Sequence, residues 1–141
     1  MPLDIVGVNH FCASVRDLEA AISWYEEKLG FRLICRNEIP NINAKAAHLT
    51  APGFVLELFE AKDARPLPEE RKYPNTDLMT HGNKHFAVTV EDAGRAREQL
   101  EAMGVEIVMT AKVWGTIGMF VRDPTGNLIE IFEGDMRTLQ Q

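Results

Sequence analysis

The chain has little cysteine and no long apolar run, and its first seven residues do not show a basic start followed by an apolar segment. Only Cys12 and Cys35 occur in 141 residues, and we predict both to be buried, reduced thiols. A domain of this length can bury roughly two-thirds of its surface on folding, so it needs no disulfide. No apolar run approaches the roughly 20 residues that span a bilayer, which predicts a cytoplasmic protein without a membrane partner.

An excess of positive charge is also absent. The sequence has 15 Lys and Arg against 21 Asp and Glu, which gives a net charge of −6. That sign argues against nucleic acid as a partner. The hydrophobic fraction of 45% and charged fraction of 26% are ordinary for one globular domain, here spanning residues 1–141.

The first half of the chain has the pattern of a strand, a helix and three further strands. The helix is predicted to begin after Asp17, a good N-cap, and to end at Gly30, because apolar residues recur between them at helical spacing. Turn residues Pro40-Asn41 and Pro52-Gly53 separate the later strands. The predicted strands are 6–15, 32–38, 44–50 and 54–60.

The pattern then stops and returns. Residues 62–83 carry three prolines, many charges and little periodicity, which predicts a surface connector. Residues 85–92 align without a gap on residues 10–17, and Asp92 and Gly104 are predicted to bound a second helix. The sequence thus predicts module one at about 5–61, the connector at about 62–83 and module two at about 84–134. The strands expected in module two are 85–90, 105–109, 116–122 and 127–133, with a tight turn at Asp123-Pro124-Thr125-Gly126.

The repeat matches two histidines and two glutamates. His85 is 75 positions after His10, and Glu130 is 73 positions after Glu57. Each glutamate stands between two aliphatic residues of a predicted strand, where a carboxylate is costly unless it is paired or binds a metal. Two imidazoles and two carboxylates form a reasonable ligand set for a divalent ion, and packing alone does not require all four to recur.

The alternatives for single residues are a structural histidine and a glutamate on an exposed sheet face. His48 and His81 have no repeat partner, so they are expected to be an ordinary strand residue and a loop residue. Six further residues are candidates for a pocket mouth, against the alternative of ordinary surface or core: Arg36, Asn37, Lys112, Trp114, Met119 and Phe120.

Several segments together resemble the vicinal oxygen chelate superfamily, which includes glyoxalase I, methylmalonyl-CoA epimerase, extradiol dioxygenases and bleomycin-resistance proteins. The similarity covers about residues 5–134, and its carrying segments are Asn9-His10-Phe11, 15–19, 24–31, Leu56-Glu57-Leu58, 85–88 and 123–130. The resemblance implies an α+β fold in which two tandem βαβββ modules form an open, curved, β-barrel-like sheet around a metal. It implies that His10, Glu57, His85 and Glu130 are the metal ligands and that the protein is a homodimer.

The resemblance further implies a metal-dependent lyase or isomerase of the glyoxalase or epimerase type, acting on a small carbonyl compound. Such an enzyme removes a proton beside the carbonyl and stabilises a metal-bound enediolate, with Glu57 or Glu130 as the base. The expected cofactor is one divalent metal ion, with Ni, Co, Mn, Zn and Fe as the candidates. Alternatives are an extradiol dioxygenase using Fe(II), a non-catalytic small-molecule-binding resistance protein, and thiol or water addition of the fosfomycin-resistance type.

We predict that the purified protein holds about one divalent ion per chain and loses it on chelation or acidification, because histidine binds metals when neutral and carboxylates bind when ionised. The measurement is metal content by mass spectrometry after dialysis with Ni, Co, Mn, Fe or Zn. A chain that retains none of these ions above background contradicts the prediction and favours a binding protein.

Overall fold

The computed structural model describes residues 1–138, in which two compact units each have the order βαβββ. The first unit comprises Met1–Ala64, and the second begins at Arg65. In the first unit the elements are β1 (Phe11–Ser14), α1 (Leu18–Leu29), β2 (Arg32–Ile39), β3 (Ala44–Ala51) and β4 (Phe54–Ala61), with a 3₁₀ turn at Pro40–Ile42.

The four strands of the first unit form one sheet in the order β1-β4-β3-β2. Strand β1 runs parallel to β4, whereas β3 is antiparallel to both β2 and β4. Helix α1 begins where the Asp17 side chain accepts the Ala20 N–H and ends at Gly30, whose φ of 71° is left-handed. Both predicted helix boundaries are therefore confirmed.

One face of this sheet supplies the apolar core of the first unit. Leu49, Leu56 and Leu58 are fully inaccessible to solvent, and α1 packs against β2, β3 and β4. Because side chains alternate along a strand, the residues between them, including His48 and Glu57, lie on the opposite face. That face is only partly covered within the unit, with His48 and Glu57 both half-buried.

The second unit repeats this topology. After a 3₁₀ turn at Glu69–Lys72 and a short helix α2 (Pro74–Asp77), the elements are β5 (Phe86–Val90), α3 (Ala93–Ala102), β6 (Met109–Val113), β7 (Thr116–Arg122) and β8 (Leu128–Glu133). The sheet order is β5-β8-β7-β6, with β5 parallel to β8. Two open four-stranded sheets with helices confirm the predicted α+β fold of tandem βαβββ modules.

Two strand boundaries differ from the sequence prediction. The first strand was expected over 6–15 but spans only Phe11–Ser14. Its partner β4 begins at Phe54, two positions before the residue that pairs with Phe11, so residues 6–8 have no strand to pair with. The strand expected over 105–109 lies instead at Met109–Val113, because the Val105 N–H bonds back to Leu100 O and closes the end of α3.

No helix among residues 1–138 has the length and apolar character needed to cross a membrane.

The turn before β8 is held by one buried carboxylate. Asp123 Oδ1 accepts the backbone N–H groups of Thr125, Gly126 and Asn127 at 2.9–3.0 Å, and Oδ2 accepts the Asn127 side-chain amide at 2.9 Å. Gly126 adopts a φ of 105°, which an L-residue rarely tolerates. The predicted tight turn is confirmed, and it determines where β8, which carries Glu130, begins.

We predict that Asp123→Ala destabilises the protein by about 2–4 kcal/mol, because several backbone N–H groups lose their acceptor in a buried turn. The measurement is urea unfolding at constant pH. Asp63→Ala is the control, since Asp63 is exposed and should change stability by less than about 0.5 kcal/mol. Equal unfolding midpoints for the two variants would contradict this account of the turn.

Candidate functional site

Four side chains form a polar row across the sheet of the first unit. Cys12, Glu57, His48 and Cys35 are direct register partners on strands β1, β4, β3 and β2. Such partners on one face are neighbours, and here the side chains are hydrogen-bonded in sequence. Cys12 Sγ donates to Glu57 Oε1 at 3.3 Å, His48 Nε2 lies 2.7 Å from Glu57 Oε2, and His48 Nδ1 lies 3.7 Å from Cys35 Sγ.

His10 lies beside this polar row without contacting Glu57. It immediately precedes β1, is exposed, and has its ring 6.0 Å from the His48 ring in an edge-on arrangement. Its Nδ1 lies 2.7 Å from Asn9 Oδ1. An amide oxygen accepts only from a protonated nitrogen, so the network assigns the proton to Nδ1 and leaves the Nε2 lone pair of neutral His10 for another partner.

The second unit brings its repeated histidine and glutamate into contact. His85 Nε2 lies 3.1 Å from Glu130 Oε2, and the His85 ring packs edge-on against Phe120 at 4.9 Å. Gly118 lies on the neighbouring strand β7, and a Cβ at that position would collide with Oε1 of Glu130 as it is placed here, so a larger residue would make the carboxylate move. The missing side chain therefore gives the Glu130 carboxylate its space.

The four predicted ligands are thus placed differently in the two units. His85 and Glu130 are in contact, whereas Glu57 is in contact with His48 instead of His10. His48 was expected to be an ordinary strand residue, so sequence reasoning missed this contact. A signal was available, because a two-residue turn at Pro52-Gly53 pairs His48 with Glu57 directly. His81 is exposed in its loop, as expected.

The prediction that both cysteines are buried is wrong, because Cys12 and Cys35 are exposed. Both lie on the sheet face that α1 does not cover, so alternation along the strand places them away from the core. Partial desolvation, the hydrogen bond to Glu57 and the charge of Glu57 together raise the pKa of the Cys12 thiol to about 11. The thiol therefore stays protonated near neutral pH and can donate to the carboxylate.

The six candidates for a pocket mouth are distributed between surface and core. Met119 is buried in the core, and Phe120 packs on His85. The guanidinium of Arg36 is paired with the Glu19 carboxylate at 2.8 Å on the surface. The remaining three, which are Asn37, Lys112 and Trp114, are exposed.

The donor chemistry within each unit suits a divalent ion. Within residues 1–138, no three His, Cys, Asp or Glu side chains are grouped so as to hold a metal. Each unit nevertheless presents imidazole nitrogen and carboxylate oxygen close together on one sheet face. Neutral imidazole and carboxylate are the ligands that Zn, Fe, Mn, Co and Ni accept in proteins.

We predict that Cys12 alkylates slowly at pH 8, since a pKa of about 11 leaves a thiolate fraction on the order of 10⁻³. Glu57→Gln removes the negative charge that opposes ionisation, so the pKa of Cys12 should fall and its alkylation should be several-fold faster. Peptide mass spectrometry after iodoacetamide treatment measures Cys12 and Cys35 separately. Glu106→Gln, an exposed control in the second unit, should leave the Cys12 rate unchanged, whereas equal rates in wild type and Glu57→Gln would refute the prediction.

Comparison with known proteins is consistent with this geometry. The family model described as Glyoxalase/Bleomycin resistance protein/Dioxygenase superfamily matches residues 7–131. "Glyoxylase I 4" of Arabidopsis thaliana is 29% identical over 137 residues, which is 95% of this chain and 74% of that protein. "Lactoylglutathione lyase" of Haemophilus influenzae is 29% identical over 133 residues, covering 89% of this chain and 91% of that protein.

A solved structure is also similar. The glyoxalase family protein from Enterococcus faecalis matches with a TM-score of 0.77 and 25% identity. The match covers 93% of this chain and 100% of that protein. The match to the family model extends over most of the chain and includes both units. The predicted resemblance is therefore confirmed, and the chain belongs to the glyoxalase/bleomycin resistance/dioxygenase (vicinal oxygen chelate) superfamily.

Proposed function

We propose that this protein is a metal-dependent enzyme of the glyoxalase or epimerase type, which removes a proton from the carbon beside a carbonyl group. The contact between His85 Nε2 and Glu130 Oε2 at 3.1 Å is the observation that carries the proposal. The carboxylate and the imidazole beside it can together bind a metal. The carboxylate, in the space that Gly118 leaves open, can also act as the base that removes a proton. Relatives named for glyoxalase or lactoylglutathione lyase activity support the same reaction class.

The proposed metal ligands are His10, Glu57, His85 and Glu130, the set that the family resemblance implies. When bound, a divalent ion supplies Lewis-acid stabilisation of the negative charge that develops on the carbonyl oxygen. Asn9 has a supporting role, because its oxygen holds Nδ1 of His10 and so orients Nε2 for coordination.

The two glutamates differ in how their oxygens are engaged. Glu57 accepts a hydrogen bond on each oxygen, from Cys12 and His48. Glu130 Oε2 contacts His85, whereas Oε1 lies against Gly118 and accepts no hydrogen bond within residues 1–138. We therefore assign the proton transfer to Glu130, whose Oε1 is available to take a proton from the substrate carbon and return it. Glu57 is the carboxylate that remains in place.

The test is a screen of the metal-loaded protein with small carbonyl compounds, including hemithioacetals of 2-oxoaldehydes and 2-branched thioesters. We expect isomerisation or epimerisation, followed by nuclear magnetic resonance, without oxygen uptake. Deuterium at the carbon beside the carbonyl should give a primary isotope effect on turnover. Glu130→Gln should lower kcat by about 10²–10⁴-fold while most of the metal remains bound.

His81→Gln is the matched control, since it removes an exposed histidine outside the proposed ligand set and should leave turnover and metal content unchanged. Oxygen uptake with a catechol by the iron-loaded protein would instead establish the dioxygenase alternative. Tight binding of a small molecule that is never converted would establish the binding-protein alternative. Either outcome overturns the proposed reaction.

A further inference from the structure

The two units can be compared position by position, because the same register surrounds Glu57 and Glu130. The polar row of the first unit is Cys12, Glu57, His48 and Cys35. The corresponding positions of the second unit are Ala87, Glu130, Phe120 and Met109. Only the glutamate is common to both rows, and in the first unit every other member has a polar or ionisable side chain.

His48 thus occupies the position of Phe120. Each packs its ring edge-on against the repeated histidine of its own unit, at 6.0 Å for His10 and His48 and at 4.9 Å for His85 and Phe120. The two rings differ in whether they can hydrogen-bond to the neighbouring glutamate. His48 Nε2 is 2.7 Å from Glu57 Oε2, whereas a phenyl ring offers Glu130 no hydrogen bond.

The hydrogen bonds along the polar row all donate toward Glu57, from the strands on either side of it. The Asn37 amide donates to Cys35 Sγ at 3.8 Å, and the Cys35 thiol can donate to His48 Nδ1 at 3.7 Å. A nitrogen that accepts this bond carries no proton, so the network assigns the proton of neutral His48 to Nε2, which then donates to Glu57. Cys12 donates to the other oxygen at 3.3 Å.

We propose that His48 is a positioning residue that holds the Glu57 carboxylate in one orientation, so that Glu57 is a fixed metal ligand while Glu130 remains free to move. The inference rests on the proposed function for its metal-binding consequence, but the orientation of Glu57 is a property of the first unit alone. Hydrogen bonds to a ligating carboxylate restrict its rotation. Loss of such a bond lowers metal affinity by roughly 10–100-fold.

The comparison with the second unit supplies the central variant. His48→Phe places in the first sheet the residue that the second sheet carries beside its own glutamate, so the ring is kept and the hydrogen bond is lost. His48→Gln replaces the imidazole with an amide that can still donate to Glu57. His48→Ala removes the donor without adding volume, and it serves if His48→Phe fails to fold. His81→Gln is the matched control on an exposed histidine.

Two measurements test the proposal. Crystal structures of the metal-free proteins should show the Glu57 carboxylate turned away from its wild-type orientation in His48→Phe and His48→Ala, and retained in His48→Gln. Titration calorimetry with Ni²⁺ and Co²⁺ should show affinity lowered by roughly 10–100-fold in the first two variants and restored to within about threefold by His48→Gln. Thermal unfolding of the metal-free proteins separates these effects from a loss of stability.

The outcomes distinguish the positioning role from the proposed function. If wild type binds metal but His48→Phe and His48→Ala leave either the Glu57 orientation or the affinity unchanged, the positioning role is overturned. Failure of His48→Gln to restore both properties also overturns it, because His48 would then act by more than donation to Glu57. If wild type binds no metal while the Glu57 carboxylate still turns in both variants, the proposed function fails and the positioning role stands.

Discussion

The rest of the structure depends on the need to keep a carboxylate in an interior strand of each sheet. Glu57 and Glu130 are flanked along the chain by Leu56 and Leu58 and by Ile129 and Ile131, all of which are buried. Removing a carboxylate from water is costly unless it gains hydrogen bonds or a cation. The side chains around each glutamate offset this desolvation free energy, and the two units do so in different ways.

The first unit meets the cost with its own hydrogen bonds, since a thiol and an imidazole each donate to one oxygen of Glu57. In the second unit, Gly118 leaves room for the Glu130 carboxylate, and the His85 imidazole is its one hydrogen-bonding neighbour within residues 1–138. Two copies of one topology therefore place their glutamates in different surroundings. This asymmetry is what our proposal of one fixed and one mobile carboxylate explains.

Membership of the superfamily limits the reaction classes to be considered, but it does not identify the substrate. Unrelated reactions share this fold, so the reaction must be argued from the side chains that the fold brings together. The absence of a hydrogen bond to Glu130 Oε1 within residues 1–138 favours proton transfer by this residue. A homodimer, a cytoplasmic location and the identity of the divalent ion stay predictions.

The sequence alone determined the topology and most of the boundaries. Asp17 and Gly30 bound α1 because an Asx cap and a left-handed glycine are local signals that need no tertiary context. The Asp123 turn is local in the same way, and the repeat of His10 and Glu57 as His85 and Glu130 is visible in the letters themselves. Burial of the cysteines was wrongly predicted, because composition does not tell which sheet face a helix covers.

Only the tertiary structure decided which histidine contacts Glu57. His10 and Glu57 recur together in the repeat, but contact depends on strand register, and the β3–β4 hairpin places His48 directly opposite Glu57. The same register places Phe120 opposite Glu130, so an identical backbone arrangement has different consequences in the two units. Sequence repetition identifies equivalent positions, whereas hydrogen bonding depends on side chains from neighbouring strands that the repeat does not conserve.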